Sequence, residues 1–410
     1  MTTTIILFAF YFKPEILSKI NIPPDSKILS LFLTVIMVVN IAQVGARLGD
    51  PAQTNWQLYS AANRLLAALA LVISLTYFVQ KLPIAIVKYR LVILIATATL
   101  MRLFSIISAP NPTIDVFYIL RDGPKLLLEG KNPYELSYPA PYGVYIPTIL
   151  FIYGPLAAFL FAPSVLIFND PRFMLILADL ISAFLIVKIA RHLRVISQMA
   201  QITVIIFLFH PLFPFMTEQA WLEPIISLSF FAATYLFLKY PNKIYGSAPL
   251  GMVLAIKSVY LLPVATYLKN KSANTFQYLT AILVPIALSL PFLAADARLF
   301  LDRTQVYVTT PESIQANLAP THIALNISAL ILKYTGIVLP TIVVGLAGIA
   351  AVLFLILKRT PQMSYVVLST FLIFMVLFMF GPFVFVHYFA FLGNLLLLTL
   401  LLFLGKTQKL

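Results

Sequence analysis

Phe173 to Arg194 reads FMLILADLISAFLIVKIARHLR. Its apolar part, Phe173 to Ala190, is long enough to cross about 30 Å of hydrocarbon as a helix, and the basic run Arg191 to Arg194 stops it on one side. Comparable runs lie at residues 28–44, 58–79, 91–109, 202–215, 224–238, 276–294, 338–357, 365–380 and 388–404. A short broken pair occupies 248–256 and 259–268. Of 410 residues, 61% are apolar and 10% charged, against about a quarter charged in soluble domains. The mean hydropathy is +0.97. The reading is an all-α polytopic integral membrane protein of about 12 crossings, residues 1–410 forming a single transmembrane domain.

The chain has no Cys, so disulfides and thiolate metal sites are excluded. Ile5 to Phe12 lacks a basic leader and a cleavage site, so it is not read as a signal peptide. The net charge of +14 sorts by membrane side. With the N-terminus inside, the inner loops and tails hold 17 of the 28 basic residues, among them Lys81, Arg191, Lys269 and Lys358, beside only Glu15 and Asp25. The remaining 11 basic residues are matched by 12 acidic ones. This satisfies the positive-inside rule and puts both termini in the cytoplasm of a cell-membrane protein.

Thr148 to Phe168 is apolar but carries Pro155 and Pro163. Counting it as a crossing would put Lys188, Arg191 and Arg194 outside, so it is laid in or re-entering the outer leaflet. The organisation expected is therefore two extra helices in 1–90, a long outer loop with interfacial helices at 110–172, and a second outer loop at 296–336. Long loops in compact domains are usually functional.

Four outer points carry chemistry. In TIDVFYILRDGPKLLLEGKNPY, from Thr113, Asp115 sits at the exit of a span and opens an amphipathic helix. A carboxylate there either takes a proton from a hydroxyl or caps the helix. In HPLFPFMTEQAWLEP, from His210, Glu218 and Glu223 flank Trp221. The carboxylates either orient sugar hydroxyls or are ordinary loop charges, and Trp221 reads as an interfacial belt residue. In AIKSVYLLP, Lys257 lies at the junction of the two half-helices. It either holds a lipid phosphate as a point charge or snorkels to the interface. His322 and His387 each either bind an anion, carry a proton, or are satisfied polar residues. Arg102 and Asp179 lie inside spans, where charges face a cavity or a partner, and they are candidates to pair with each other.

No P-loop, dinucleotide fingerprint or HExxH motif is present, and aromatics do not interleave with basic clusters. An ATP-driven pump and a nucleic-acid binder are not expected.

The order of Asp115 after an early span, the amphipathic helix, EGKNPY at Glu129 to Tyr134, LADLISAFLI from Leu177 and AIKSVYLLP from Ala255 resembles the GT-C superfamily of lipid-phosphate-sugar-dependent glycosyltransferases. The nearest flavour is the polyprenol-phosphate-mannose mannosyltransferases, including the enzyme adding the first mannose of GPI. The likeness covers roughly Ile114 to Leu268, with a weaker echo in GPFVFVHYFAFL. It implies an inverting hexosyltransferase on the outer face, with a polyprenyl-phosphate sugar donor, a glycolipid or glycan acceptor and Asp115 as base. Lys257, helped by His322 or Arg303, would hold the donor phosphate, with Glu218, Glu223, Asp122, Tyr134 and His387 as substrate contacts. Some relatives carry D-x-D at the first position, whereas here the next carboxylate after Asp115 is Asp122, so no cofactor or metal is expected. The two spans before the family's first helix depart from its pattern. A secondary transporter or lipid translocase is the alternative, since broken helices and intramembrane charges suit that class too.

Overall fold

The computed structural model describes residues 27–46, 55–79, 81–139, 148–241, 243–267, 274–306, 362–380 and 386–406, with a few single positions between 331 and 353. Helix α1 spans Lys27–Ala46, α2 Trp56–Leu75 and α3 Ile84–Ser108. After α4 (Asp115–Leu128) come two short strands, β1 (Ser137–Pro139) and β2 (Thr148–Leu150), paired antiparallel with Tyr138 opposite Ile149. Then follow α5 (Pro155–Phe168), α6 (Arg172–His192), α7 (Ser197–Leu208), α8 (Phe213–Glu218) and α9 (Glu223–Lys239). The half-helices α10 (Ala248–Leu254) and α11 (Leu261–Tyr267) precede α12 (Thr275–Leu301), α13 (Met363–Phe380) and α14 (Val386–Lys406).

Among the described residues, five helices are long and apolar enough to cross a membrane: Trp56–Leu75, Ile84–Ser108, Arg172–His192, Thr275–Thr304 and His387–Gly405. The protein is a mostly helical membrane protein, as its composition requires, because a chain in lipid satisfies its backbone by forming helices. The expected span at 202–215 is interrupted. Helix α7 stops at Leu208, and His210 and Pro211 turn the chain into the six-residue α8. Of the run 338–357, only positions 346, 349, 350 and 353 are described, each of them helical.

The directions of the helices follow from their cross-links. Arg102, one turn and a half before the end of α3, pairs with Asp179 of α6, while Arg172 at the start of α6 donates to the carbonyl of Ala109 just beyond α3. The two helices are therefore antiparallel, and residues 110–171 leave and rejoin the bundle at one end, here termed the site end. Helix α5 has 14 residues, about 21 Å at 1.5 Å per residue, short of the hydrocarbon thickness. Helix α4 buries Val116, Phe117, Ile119 and Leu120 and packs on α5. Its apolar face thus packs against protein.

Charge divides between the two ends. Lys81, Lys88, Arg90, Lys188, Arg191, Arg194, Lys239 and Lys243 gather opposite the site end, and no described carboxylate lies there. Close helix contact relies on small residues, as membrane packing favours. A Cβ at Gly251 of α10 would stand 2.8 Å from the Val284 Cβ and 3.0 Å from the Ala281 carbonyl oxygen of α12. The extra helices α1 and α2 are part of the same packed core. Helix α1 contacts α2 and α7, α2 contacts α3, and the Asn63 amide donates to the Val44 carbonyl at 2.7 Å.

Candidate functional site

Helix α9 descends from Glu223, and the chain reverses near Tyr240 and returns through a 3-10 turn (Ile244–Gly246) and α10. Glu223 and Lys257 stand 34 residues apart, equally far from that reversal, so the hairpin brings them to one level. The Lys257 Nζ is 3.4 Å from the Glu223 Oε1. Helix α14 runs beside α9 in the same direction and places the His387 Nε2 3.7 Å from that same oxygen. Two turns farther along α14, the Asn394 amide donates to the Ser227 hydroxyl at 3.0 Å and fixes the register.

Glu223 is fully buried and His387 nearly so, while the Lys257 side chain keeps 11% exposure. A buried carboxylate is costly unless cations and hydrogen bonds compensate it. Here two basic groups share Oε1, and the Tyr260 phenol faces the same carboxylate. Aromatic rings close the site. Trp221 stacks on His387 at 3.6 Å between ring centroids, so it belongs to the site and not to an interfacial belt. Lys257 lies 5.3 Å from the Tyr388 ring and 5.6 Å from that of Tyr153.

The break that carries Lys257 is fastened to the loop above it. The Gly154 N–H donates to the Ile256 carbonyl at 2.8 Å and the Leu156 N–H to the Ala255 carbonyl at 3.2 Å. A Cβ at Gly154 would run into the Ala255 carbonyl. Gly154→Ala should therefore cost about 1–3 kcal/mol by overpacking, read as a lowered thermal midpoint of the purified protein. An unchanged midpoint would mean that this junction is slack.

Asp115 occupies the first turn of α4, with Ile114 as the N-cap, and its Oδ1 accepts from the Val116 N–H at 2.8 Å. The start of α4 is also held by Arg172. That guanidinium is completely buried, pairs with Asp170 at 2.6 Å, donates to the Ala109 and Glu218 carbonyls, and lies 4.8 Å from the Phe117 ring. One side chain thus ties the exit of α3, the start of α4, the start of α6 and the end of α8. Sequence reasoning missed it, although an Asp and an Arg two residues apart at the mouth of an apolar run are a readable signal.

The other expected residues are scattered. Glu218 is buried beside Gln219, whose amide donates to its Oε1 at 2.9 Å. Asp122 is held by Arg121 at 2.7 Å and Lys125 at 3.7 Å. Tyr134 donates to the Tyr153 carbonyl at 2.8 Å and packs edge-on against Phe151, Phe292 and Phe300. Burial pushes its phenol far above the ordinary range, so it stays a neutral donor. Arg303 lies 3.8 Å from Asp302 in the π-turn after α12. His322 lies outside the described residues. Among the described residues, no group of three or more His, Cys, Asp or Glu side chains is placed to hold a metal ion.

No protein-family model, curated protein or solved structure matches the chain.

Proposed function

We propose that this protein is a membrane glycosyltransferase of GT-C type that moves a hexose, most simply mannose, from a polyprenyl-phosphate sugar to a glycolipid or glycan acceptor. The observation that carries the reading is a buried ammonium, Lys257, aimed and balanced by Glu223 at the same end of the bundle where Asp115 opens α4. A preorganised cation stabilises a phosphate as it departs, and a carboxylate takes the proton of the attacking hydroxyl. Inversion follows when base and leaving group stand on opposite faces of the sugar. The order of motifs along the chain supports the same assignment. No cofactor is required by this chemistry.

The finer topology is also proposed: about 12 crossings, both termini cytoplasmic, and the site end outside. The collection of basic residues at the other end supports it through the positive-inside rule. Because the chain has no Cys, single introduced thiols test it cleanly. An impermeant reagent should label a Cys at position 131 from outside and leave one at 191 untouched. Labelling at 191 would invert the topology.

Purified protein given radiolabelled polyprenyl-phosphate mannose and mixed glycolipid acceptors should incorporate label into acceptor. The half-helices α10 and α11, together with the intramembrane Arg102–Asp179 pair, also suit a transporter. Uptake into proteoliposomes without transfer would establish that alternative. Lys257→Ala should lower kcat/KM by about 10²-fold through both kcat and KM, as loss of a cation that acts on developing charge does. Normal kinetics in a folded variant would remove Lys257 from the site.

A further inference from the structure

Counting charge in the buried cluster gives one ammonium, one carboxylate and one imidazole. With Lys257 3.4 Å and His387 3.7 Å from a single oxygen of a fully buried Glu223, the balanced state before any ligand arrives is Lys257 charged, Glu223 charged and His387 neutral, since a net buried charge is costly. Among the described residues, the groups facing this trio from each packed element add no further charge: Tyr260 from the 3-10 turn after the break, Tyr388 from α14 and Tyr153 from the loop before α5. Trp221 covers the imidazole face.

An anion that docks on Lys257 upsets this balance, because Glu223 already neutralises that ammonium. The geometry points to proton-coupled anion binding, in which a phosphodiester monoanion takes Glu223's place on Lys257 and the Glu223–His387 pair takes up one proton from solution. The proton has two places to go. It either converts His387 to imidazolium against the Glu223 carboxylate or adds to the Glu223 Oε2, the carboxylate oxygen that neither Lys257 nor His387 approaches. Both leave Lys257 and the phosphodiester as a balanced pair beside a second balanced pair. Glu223 is then a positioning residue that keeps Lys257 charged and aimed in the empty site, in place of the sugar contact read from the sequence.

This inference rests on the reading of Lys257 as the phosphate holder, but its test needs no transfer reaction. The probes are a polyprenyl-phosphate sugar, whose phosphate is a diester, and soluble diethyl phosphate. Monoesters are avoided because they titrate at about pH 6 themselves. Calorimetric titration of the full chain in lipid nanodiscs, in two buffers of different protonation enthalpy at one pH, should show about one proton taken up per phosphodiester bound. Affinity should then fall up to about tenfold for each unit of rising pH across the range from about 6 to 8. Uptake with both probes assigns recognition to the phosphodiester alone, and uptake with the lipid probe alone adds a requirement for its chain. Both outcomes support the coupling.

Glu223→Gln gives the signature that a merely structural carboxylate would not. Its empty site already carries the spare positive charge, so the proton uptake should vanish and the affinity should become independent of pH. At the upper end of the range this variant should bind more tightly than the natural chain. Heats that do not depend on buffer in the natural chain overturn the inference, whether or not Glu223→Gln folds. Failure to bind either probe by well-folded protein overturns it as well. Sugar transfer without proton uptake overturns the coupling and leaves the proposed function standing. Proton-coupled binding without transfer does the reverse.

Discussion

Asp115→Asn is expected to abolish most sugar transfer while leaving the protein folded and able to bind donor. A general base contributes on the order of 10² to 10⁴ in rate, and an amide has no capacity to accept the proton. The structure makes the substitution clean. The Asp115 Oδ1 accepts from the Val116 N–H at 2.8 Å in the first turn of α4, and an Asn carbonyl oxygen can accept the same bond. The charge interaction with the helix N-terminus is lost, about 0.3–1 kcal/mol. Single-turnover transfer and thermal unfolding measured together decide the point. Turnover near normal would end Asp115's role as base and leave it a helix-terminus residue, with Asp122 and Glu223 as the next carboxylates to test.

Asp179→Asn is expected to be the most destabilising single change in the bundle, by about 3–5 kcal/mol, because it strands a buried guanidinium. Arg102 donates to the Asp179 Oδ2 at 2.8 Å, to the Ala98 carbonyl at 3.1 Å and to the Leu208 carbonyl at 3.0 Å, and it lies 3.9 Å from the Phe213 ring. The carbonyls remain in the variant, but the counter-charge does not. Replacing both partners by apolar residues, Arg102→Met with Asp179→Leu, should recover most of the loss, since burying neither charge removes the desolvation penalty. Unfolding of the two variants in a graded detergent titration provides the comparison. A double variant no more stable than Asp179→Asn would show that the ion pair itself is not what α3 and α6 require.

The apolar helices were readable because the bilayer leaves few choices. A run such as Phe173 to Ala190 must be a helix if its backbone is to be satisfied in lipid. The structure places α1, α2, α6, α9, α12, α13 and α14 where such runs lie. The break at Lys257 was legible for the same reason, since two seven-residue half-helices (α10 and α11) are too short to cross. The interruption at His210 was not legible, because Pro211 and Pro214 sit within a run that is otherwise apolar and Pro is tolerated in membrane helices.

Sequence by itself determined that this chain is built of apolar helices suited to a membrane, and that Asp115, Glu223, Lys257 and His387 stand out as polar groups at helix ends. Only the tertiary structure decided which of them meet. Glu223 finds Lys257 across 34 residues and His387 across 164, Arg102 finds Asp179 across 77, and Arg172 ties together α3, α4, α6 and α8. The physical reason is the uniformity of the helices that carry these residues. A helix that is apolar all round has no polar stripe to say which face turns inward. Its partners are therefore chosen by side-chain packing and by the direction of each pass, which no local pattern of residues records.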